Sequence, residues 1–432
     1  MPRRELGLGL IGLGTIAGGV AKVIQERGQT LAEQAGIMPV LRKVKVLPAD
    51  LERPQARALG RSLLTTEDDE FWATPEIDVV VELIGGEHPA LEYQEQALRA
   101  GKHVVTANKE VIAKHGVALL KMAGERGVHL RYEAAVGGGI PLIAPFRRDL
   151  VVNHVNGIYA IINGTTNYIL SRMAQEKAGF AEVLAEAQRL GYAEANPHYD
   201  VEGIDAAYKL AILATLAFRS EVRPDQIFCE GISSLTARDF QNARELGYAI
   251  KLLAIAKQSG AGIEARVHPA FVASDSFLAQ VNGVFNAVLV DGDLTGQVTF
   301  SGKGAGALPT SSAVVADILT IGHDIAAGAP PPAFFESLTH NVTPMADVVT
   351  RYYLRLNGAD QPGVLAQIAR TLGDHNISIA SAIQKQTDIR AQIAEIVIVT
   401  HPAREQEMQH ALGELRGLVG VREVGNIVRI ED

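Results

Sequence analysis

Residues Leu6–Ile11 form a short apolar run that passes directly into Gly12-Leu13-Gly14-Thr15-Ile16-Ala17 and then into a helical stretch from Gly18 to about Glu26. A strand that ends in such a glycine turn and re-emerges as a helix has few folds open to it, because it matches G-x-G-x-x-G/A in the context that gives the pattern meaning. Gly12 permits the tight turn. Gly14 lets a pyrophosphate approach backbone N–H groups at the helix N-terminus, where the helix dipole favours an anion. Thr15 and Ile16 complete this cradle, and Ala17 takes the place of the commoner third glycine. The turn alone would be an ordinary loop; its flanks make it a dinucleotide site.

Strand signals recur at Val40–Leu47, Ile77–Ile84, His103–Thr106 and Val128–Tyr132, with helical stretches such as Pro89–Ala100 between them and Gly28–Met38 read as an insertion. That alternation predicts an α/β fold built on a Rossmann-type, doubly wound parallel sheet. Ligands of such sheets sit beyond the carboxyl ends of the strands, so Gly85-Gly86, Thr106-Ala107-Asn108-Lys109 and Gly137-Gly138-Gly139 fall on the ligand-facing rim. After the second strand, an acid selects NAD through its ribose hydroxyls and an arginine selects NADP through its phosphate. Asp50 is the acid there; Arg42, Lys43, Lys45 and Arg53 are the basic alternative, and the choice between NADP and NAD stays open.

The 432 residues give room for two or three domains, and 47% hydrophobic with 21% charged residues is a soluble, globular composition. A formal charge of −9 argues against a nucleic-acid partner, which needs lysine and arginine against its phosphates. Cys229 is the single cysteine, so no intrachain disulfide forms and a reducing compartment suits the chain. Met1-Pro2-Arg3-Arg4 ahead of Leu6–Ala21 imitates a signal peptide, but glycines interrupt the run. No apolar segment reaches the length of a membrane span. A cytoplasmic protein without a membrane partner is expected.

Between Glu194 and Lys209 the chain places four acids and a lysine in sixteen positions. Asp205 and Lys209 are four apart and share one face of a helix. In isolation such a pair is a surface ion pair worth little. Here it sits in a series of segments: Gly12–Ala17, Val105–Glu110, Tyr132–Pro141, Asn163-Gly164-Thr165-Thr166-Asn167, Leu190–Lys209 and Gly302–Thr310. In this order, over nearly the whole chain, they resemble the homoserine dehydrogenase family, in the form that carries a C-terminal ACT domain.

The resemblance implies interconversion of L-homoserine and L-aspartate 4-semialdehyde with NADP or NAD, on the route to threonine, methionine and isoleucine. It makes Lys209 the general acid/base at the substrate oxygen and Lys109 a second catalytic cation near the nicotinamide. That chemistry needs a proton handled at the alcohol oxygen and a cation where alkoxide charge develops. Burial is expected to lower the lysine pKa toward working pH. Glu194 and Asp205 match the partners of the substrate's ammonium and hydroxyl end, with Asp200 and Thr165 as weaker candidates. Gly191, Thr106 and Gly304 would flank the cofactor. The plain alternatives are a helix cap for Asp200 and exposed charge for Glu194. Asn196-Pro197 departs from the Asp-Pro common in the family.

Glu133, Val136, Gly138 and Ile140 match a monovalent-cation site in which a carboxylate joins backbone carbonyls, with Na⁺ the expected ion; the residues alone say only a glycine-rich turn. No Cys/His cluster with zinc spacing occurs among the twelve histidines.

Past the proline-stiffened Ala326–Pro332, strand, helix, two strands, helix and strand follow at Arg351–Leu356, Asp360–Gly373, Asn376–Ile379, Ala394–Thr400, Glu405–Leu415 and Val421–Ile430. This β-α-β-β-α-β order is ferredoxin-like. Asp360–Leu365 and Asn376–Ser381 resemble the ACT domain, which implies an amino-acid effector, L-threonine, whose carboxylate would meet N–H groups at Gln361-Pro362-Gly363. Use for oligomerisation alone is the alternative. Either favours a homodimer or homotetramer. The expected division is 1–135 for the dinucleotide domain, completed by about 302–325, then 136–301 for an α+β substrate and dimerisation domain, 326–348 for a linker and 349–432 for the ACT domain. No aspartate kinase segment is recognised, so a monofunctional enzyme is expected.

Two competing readings are weaker. A semialdehyde dehydrogenase acting through a thiolate would need Cys229, whose apolar neighbours Gln226-Ile227-Phe228 raise rather than lower a thiol pKa. A noncatalytic amino-acid sensor would not need Lys109, Lys209, Glu194 and Asp205 together.

Overall fold

The computed structural model describes residues 4–260, 262–331, 340–388 and 392–431. Met1-Pro2-Arg3 and, in the linker, Pro332 lie outside them. Strand β1 (Arg4–Ile11) is buried from Leu6 onward and leads through Gly12 to the helix Thr15–Ala35. That helix outruns its expected end at Glu26. Ile24, Gly28 and Ala32 recur every fourth residue as its buried face, and Gly36, at φ 70°, closes it in the left-handed conformation. The expected insertion Gly28–Met38 is therefore the end of this helix, its glycine stop and the start of β2 (Ile37–Lys45).

Strands β3 (Leu64–Thr65), β4 (Val79–Glu82), β5 (His103–Thr106) and β6 (Leu130–Arg131) complete a parallel sheet of order β3-β2-β1-β4-β5-β6. Strand order reverses direction between β1 and β4, and such a switch point opens a crevice for a dinucleotide. Gly12, at φ 95°, turns there, and a Cβ on it would lie 2.6 Å from Ile84 Cγ2. The helix Ala307–Ala327 returns to this sheet, three residues earlier and six later than the expected Thr310–Ile321, because Gly306 and Gly328 set its ends. It packs on Thr15–Ala35 through Gly19, where a side chain would collide with Ser311 Oγ.

The second sheet is mixed. Its strands are β7 (Val155–Ile161), β8 (Phe228–Cys229), β9 (Tyr248–Ser259), β10 (Gly262–Ala273), β11 (Phe285–Gly292) and β12 (Gly296–Lys303). The helices Gly164–Glu176 and Ile204–Phe218 lie against it, the latter almost wholly apolar and buried beyond its first turn. The C-terminal module adds β13 (Asn341–Val342), β14 (Val349–Ala359), β15 (Ile379–Asp388), β16 (Ile393–Thr400), β17 (Ala403–Arg404) and β18 (Val421–Glu431), with helices Val364–Asp374 and Glu405–Leu415. The ferredoxin-like order is as expected. The module is not hung apart on its linker: β18 pairs with β10 in parallel, so one sheet runs β12-β11-β7-β9-β10-β18-β14-β16-β15. Among the described residues no helix is long and apolar enough to cross a membrane.

Buried ion pairs reinforce that junction. Arg429 donates to both oxygens of Glu405, at 2.8 and 2.7 Å, and to Glu230 at 2.7 Å, while Arg266 donates to Glu431 at 2.7 Å. Asp239 accepts from Arg355 at 2.9 Å and Asn426 at 2.6 Å. His268 accepts from Arg266 Nε at 3.2 Å, which requires a neutral ring nitrogen there. Burial first, and the charges of Arg429 and Arg266 second, hold its pKa well below that of a free imidazole.

Removing one partner of such a buried cluster strands the others. Arg429→Met should cost about 3–5 kcal/mol in urea denaturation; a loss within error would show that the pairs do not hold the junction. The unfolded chain, but not the folded one, protonates position 268 below about pH 6.5. Stability should therefore fall as pH drops through that range, and His268→Gln should flatten part of the fall.

Candidate active site

Lys209 follows Asp205 by one turn on Ile204–Phe218, and its Nζ lies 2.6 Å from Asp205 Oδ2. Gly203 starts this helix at φ 81°, where a Cβ would press to 3.0 Å from Val267. Lys109 is the first residue of the helix Lys109–Arg126, after the cap Asn108, and reaches the other oxygen of Asp205 at 2.5 Å. One carboxylate, 4% exposed, thus carries an ammonium on each oxygen.

The electrostatics follow from that contact. Burial alone would raise the Asp205 pKa, but the two lysines outweigh it and hold the carboxyl well below the usual range. Burial likewise pulls Lys109 down, yet Asp205, aided by Asp200 and Glu194, raises it overall. The lowered lysine pKa expected from burial is therefore not found at Lys109, because a touching carboxylate stabilises the ammonium more than burial disfavours it. Lys209 also donates to Ile162 O at 2.9 Å, at the end of β7.

Asn163 ties the acids together. Its amide donates to Asp200 Oδ1 at 2.7 Å and Asp205 Oδ2 at 2.8 Å, while its carbonyl oxygen caps Gly164–Glu176 by accepting from Thr166 N at 2.9 Å. Asp200 is raised by burial and by its neighbour Asp205, against the Asn163 hydrogen bond. Thr165 Oγ1 donates to Tyr192 O at 2.7 Å, which joins this helix to the loop carrying Gly191 and Glu194. Glu194 is exposed, and Gly191, at φ 77°, has open space on its side-chain face. Asn196 Oδ1 accepts from His198 N at 3.3 Å, a turn contact.

Thr106 is fully buried, and its hydroxyl faces inward, donating to Glu82 at 2.7 Å and accepting from Asn108 N at 2.9 Å. Asn108 in turn donates to Ile84 O and Gly86 O. Glu82, itself raised by burial, thus anchors the turn that presents Lys109. Asn108 and Asn163 fall within segments the sequence singles out, but no side-chain role is expected there for them or for Glu82. An asparagine at a strand-to-helix junction and an acid ending the buried Val79-Val80-Val81 were the available signals.

At the nucleotide crevice no atom lies within 4 Å of where a Cβ on Gly14 would stand, so the approach to the backbone of Thr15 and Ile16 is open. Gly304 is sterically required: a side chain there would overlap the Asn286 amide. Asp50 pairs with Arg53 at 2.8 Å, so the acid and one of the basic candidates for cofactor choice are each other's partners. Arg42, Lys43 and Lys45 are paired with Glu5, Glu70 and Asp68.

A family model described as Homoserine dehydrogenase matches residues 141–319, one described as Homoserine dehydrogenase, NAD binding domain, matches 12–133, and an ACT domain model matches 352–420. The chain is 44% identical to the homoserine dehydrogenase of Synechocystis sp., over 98% of this chain and 99% of that one. The chain belongs to the homoserine dehydrogenase family. It is 43% identical to the Pseudomonas aeruginosa homoserine dehydrogenase over 98% of each. The crystal structure of a homoserine dehydrogenase from Thiobacillus denitrificans matches with a TM-score of 0.92 at 42% identity, covering 99% of both chains. As a homoserine dehydrogenase the chain is an oxidoreductase with an NAD(P)-binding domain, and the sensor reading is set aside.

The Glu133 carboxylate accepts N–H groups from Leu142, Ile143 and Ala144 at 2.6 to 2.8 Å, which uses three of its roughly four acceptor positions. Gly138, at φ 56°, abuts the backbone of Gly304, and Glu133, Gly139 and Ile140 all line one cavity of about 1040 Å³. That cavity includes neither Lys109 nor Lys209. Cys229 reaches the surface, yet desolvation pushes its thiol up to about 11, against a thiolate nucleophile.

Asn163→Ala removes a charge-assisted donor to both acids, an effect of about 1.5–3 kcal/mol. Homoserine kcat/KM should fall by about 10- to 150-fold. An unchanged kcat/KM would show that Asn163 does not set their positions.

Proposed function

We propose that the lysine–aspartate–lysine cluster catalyses reversible hydride exchange between L-homoserine and L-aspartate 4-semialdehyde. The observation that carries this reading is the pair of ammoniums on Asp205. An ammonium has three protons, and Lys209 commits one to Asp205 and one to Ile162 O. The third is left to face a substrate oxygen. In the reductive direction Lys209 Nζ gives that proton to the aldehyde oxygen, and Asp205 steadies the lysine as its charge changes. Lys109 adds positive charge where alkoxide character develops. Glu194 and Asp200 hold the substrate ammonium in place of the expected Asp205, whose two oxygens are taken by lysines, and Thr165 keeps the Gly191 loop beside them.

The open face of Gly14 and the crevice at the sheet's switch point fit a nicotinamide dinucleotide, held by Gly12, Gly14, Thr15 and Ile16 with Gly191, Gly304 and the backbone of Thr106 beside it. When bound it supplies or accepts the hydride, and the Asp50–Arg53 pair would meet the ribose where NAD and NADP differ. The remaining Glu133 acceptor position and the carbonyls of Val136, Gly138 and Ile140 suit Na⁺ in a structural role. The C-terminal module would bind L-threonine. Gln361 N is already taken by Ala359 O at 2.9 Å, which leaves Gly363, at φ 93°, to receive its carboxylate.

Lys209→Ala should lower kcat by at least about 100-fold while cofactor titration by fluorescence is unchanged. Near-normal turnover in the variant would remove Lys209 from its role.

A further inference from the structure

Away from the lysine cluster, His375, Glu407 and His410 each bring a ligand atom within 4.8 Å of the others. Glu407 and His410 are three residues apart on Glu405–Leu415 and project from one face. His375 caps the end of Val364–Asp374, which packs beside that helix. Its ring lies between two carboxylates: Nδ1 is 3.7 Å from Glu407 Oε2, and Nε2 is 3.0 Å from Glu414 Oε1. A plain surface ion pair brings together one imidazole and one acid, whereas here two imidazoles and the Glu407 carboxylate converge, while Glu414 sits at the far nitrogen of the His375 ring.

We propose that this cluster binds a divalent transition-metal ion, best matched by Zn²⁺, through His375, Glu407 and His410, with water in the fourth position. Two imidazole nitrogens and a carboxylate oxygen suit Zn²⁺, Co²⁺ or Ni²⁺ and not the hard ions that prefer oxygen alone. Glu-x-x-His on one helix is itself a recurring ligand pair. Donors on one tetrahedral Zn²⁺ stand about 3.4 Å apart, so the side chains must close in slightly. His410 is exposed and Glu407 half-buried, so both are free to rotate. The ion would pin the two helices to each other. Glu405–Leu415 also carries the Glu405 that holds Arg429, so the clamp would reinforce the junction with β10. An imidazole ligates only when neutral, so binding weakens on acidification. The sequence hid this site because His375 comes from a different helix and acids replace cysteines.

The test is titration of the chelator-treated full chain with Co²⁺, followed by its visible absorption, and with Zn²⁺, followed by calorimetry and thermal melting, beside His410→Ala and His375→Ala. The parent should bind one more ion than either variant and melt at higher temperature with it. His410→Ala should weaken that ion by more than about 100-fold while keeping the parent's melting temperature and homoserine turnover without metal. Equal stoichiometry and affinity in the parent and His410→Ala, or no ion bound by the parent at millimolar metal, would overturn the proposal.

Discussion

The contact of one buried carboxylate with two ammoniums organises this molecule. Asp205 is covered by protein, and a buried charge is tolerated only when it is paired and hydrogen-bonded. Its two oxygens meet Lys109 from the nucleotide-binding half and Lys209 from its own helix, so the interaction spans the crevice between the two sheets. Asn163 supplies the remaining donor to Asp205 while capping a third element. Much of the site's polar wiring serves this geometry: Glu82 fixes Thr106 and Asn108, which fix the helix that begins at Lys109. A cluster with more acids than lysines is also suited to a substrate that carries an ammonium.

The C-terminal ACT module is joined to the rest of the chain by a different logic. Backbone pairing of β18 with β10 makes the two sheets continuous, and paired arginines and acids fill the junction. Buried ion pairs are poor sources of net stability but are costly to break, so they fix orientation more than they add strength. Contacts run from the module through β18 and β10 to the helix Ile204–Phe218 packed on β10, which bears both Asp205 and Lys209.

Local chemistry was legible in the sequence, and long-range contact was not. The Gly12 turn announced itself because its conformation demands glycine, and Asp205–Lys209 because four residues make one helical turn. Lys109 meeting Asp205 depends on how two sheets dock, which no spacing encodes. Helix Thr15–Ala35 outruns its expected end because Gly28 reads as a break, although a Cβ there would make only ordinary contact with Met38 and the helix runs through it. The β10–β18 pairing rests on backbone groups that every residue has. His375 is likewise invisible as a partner of Glu407 until the helices are placed side by side. The burial argument for a lowered lysine pKa failed at Lys109 because the sequence could not reveal the carboxylate against it.

A double-mutant cycle on homoserine kcat/KM, with Lys109→Ala, Asp205→Asn and the pair, tests the central claim most directly. If Asp205 holds Lys109 in place, removing the lysine should cost much less once the carboxylate has gone, with a coupling of about 1–3 kcal/mol. Fully additive losses would mean that the two residues act independently and that the shared carboxylate does not organise the site.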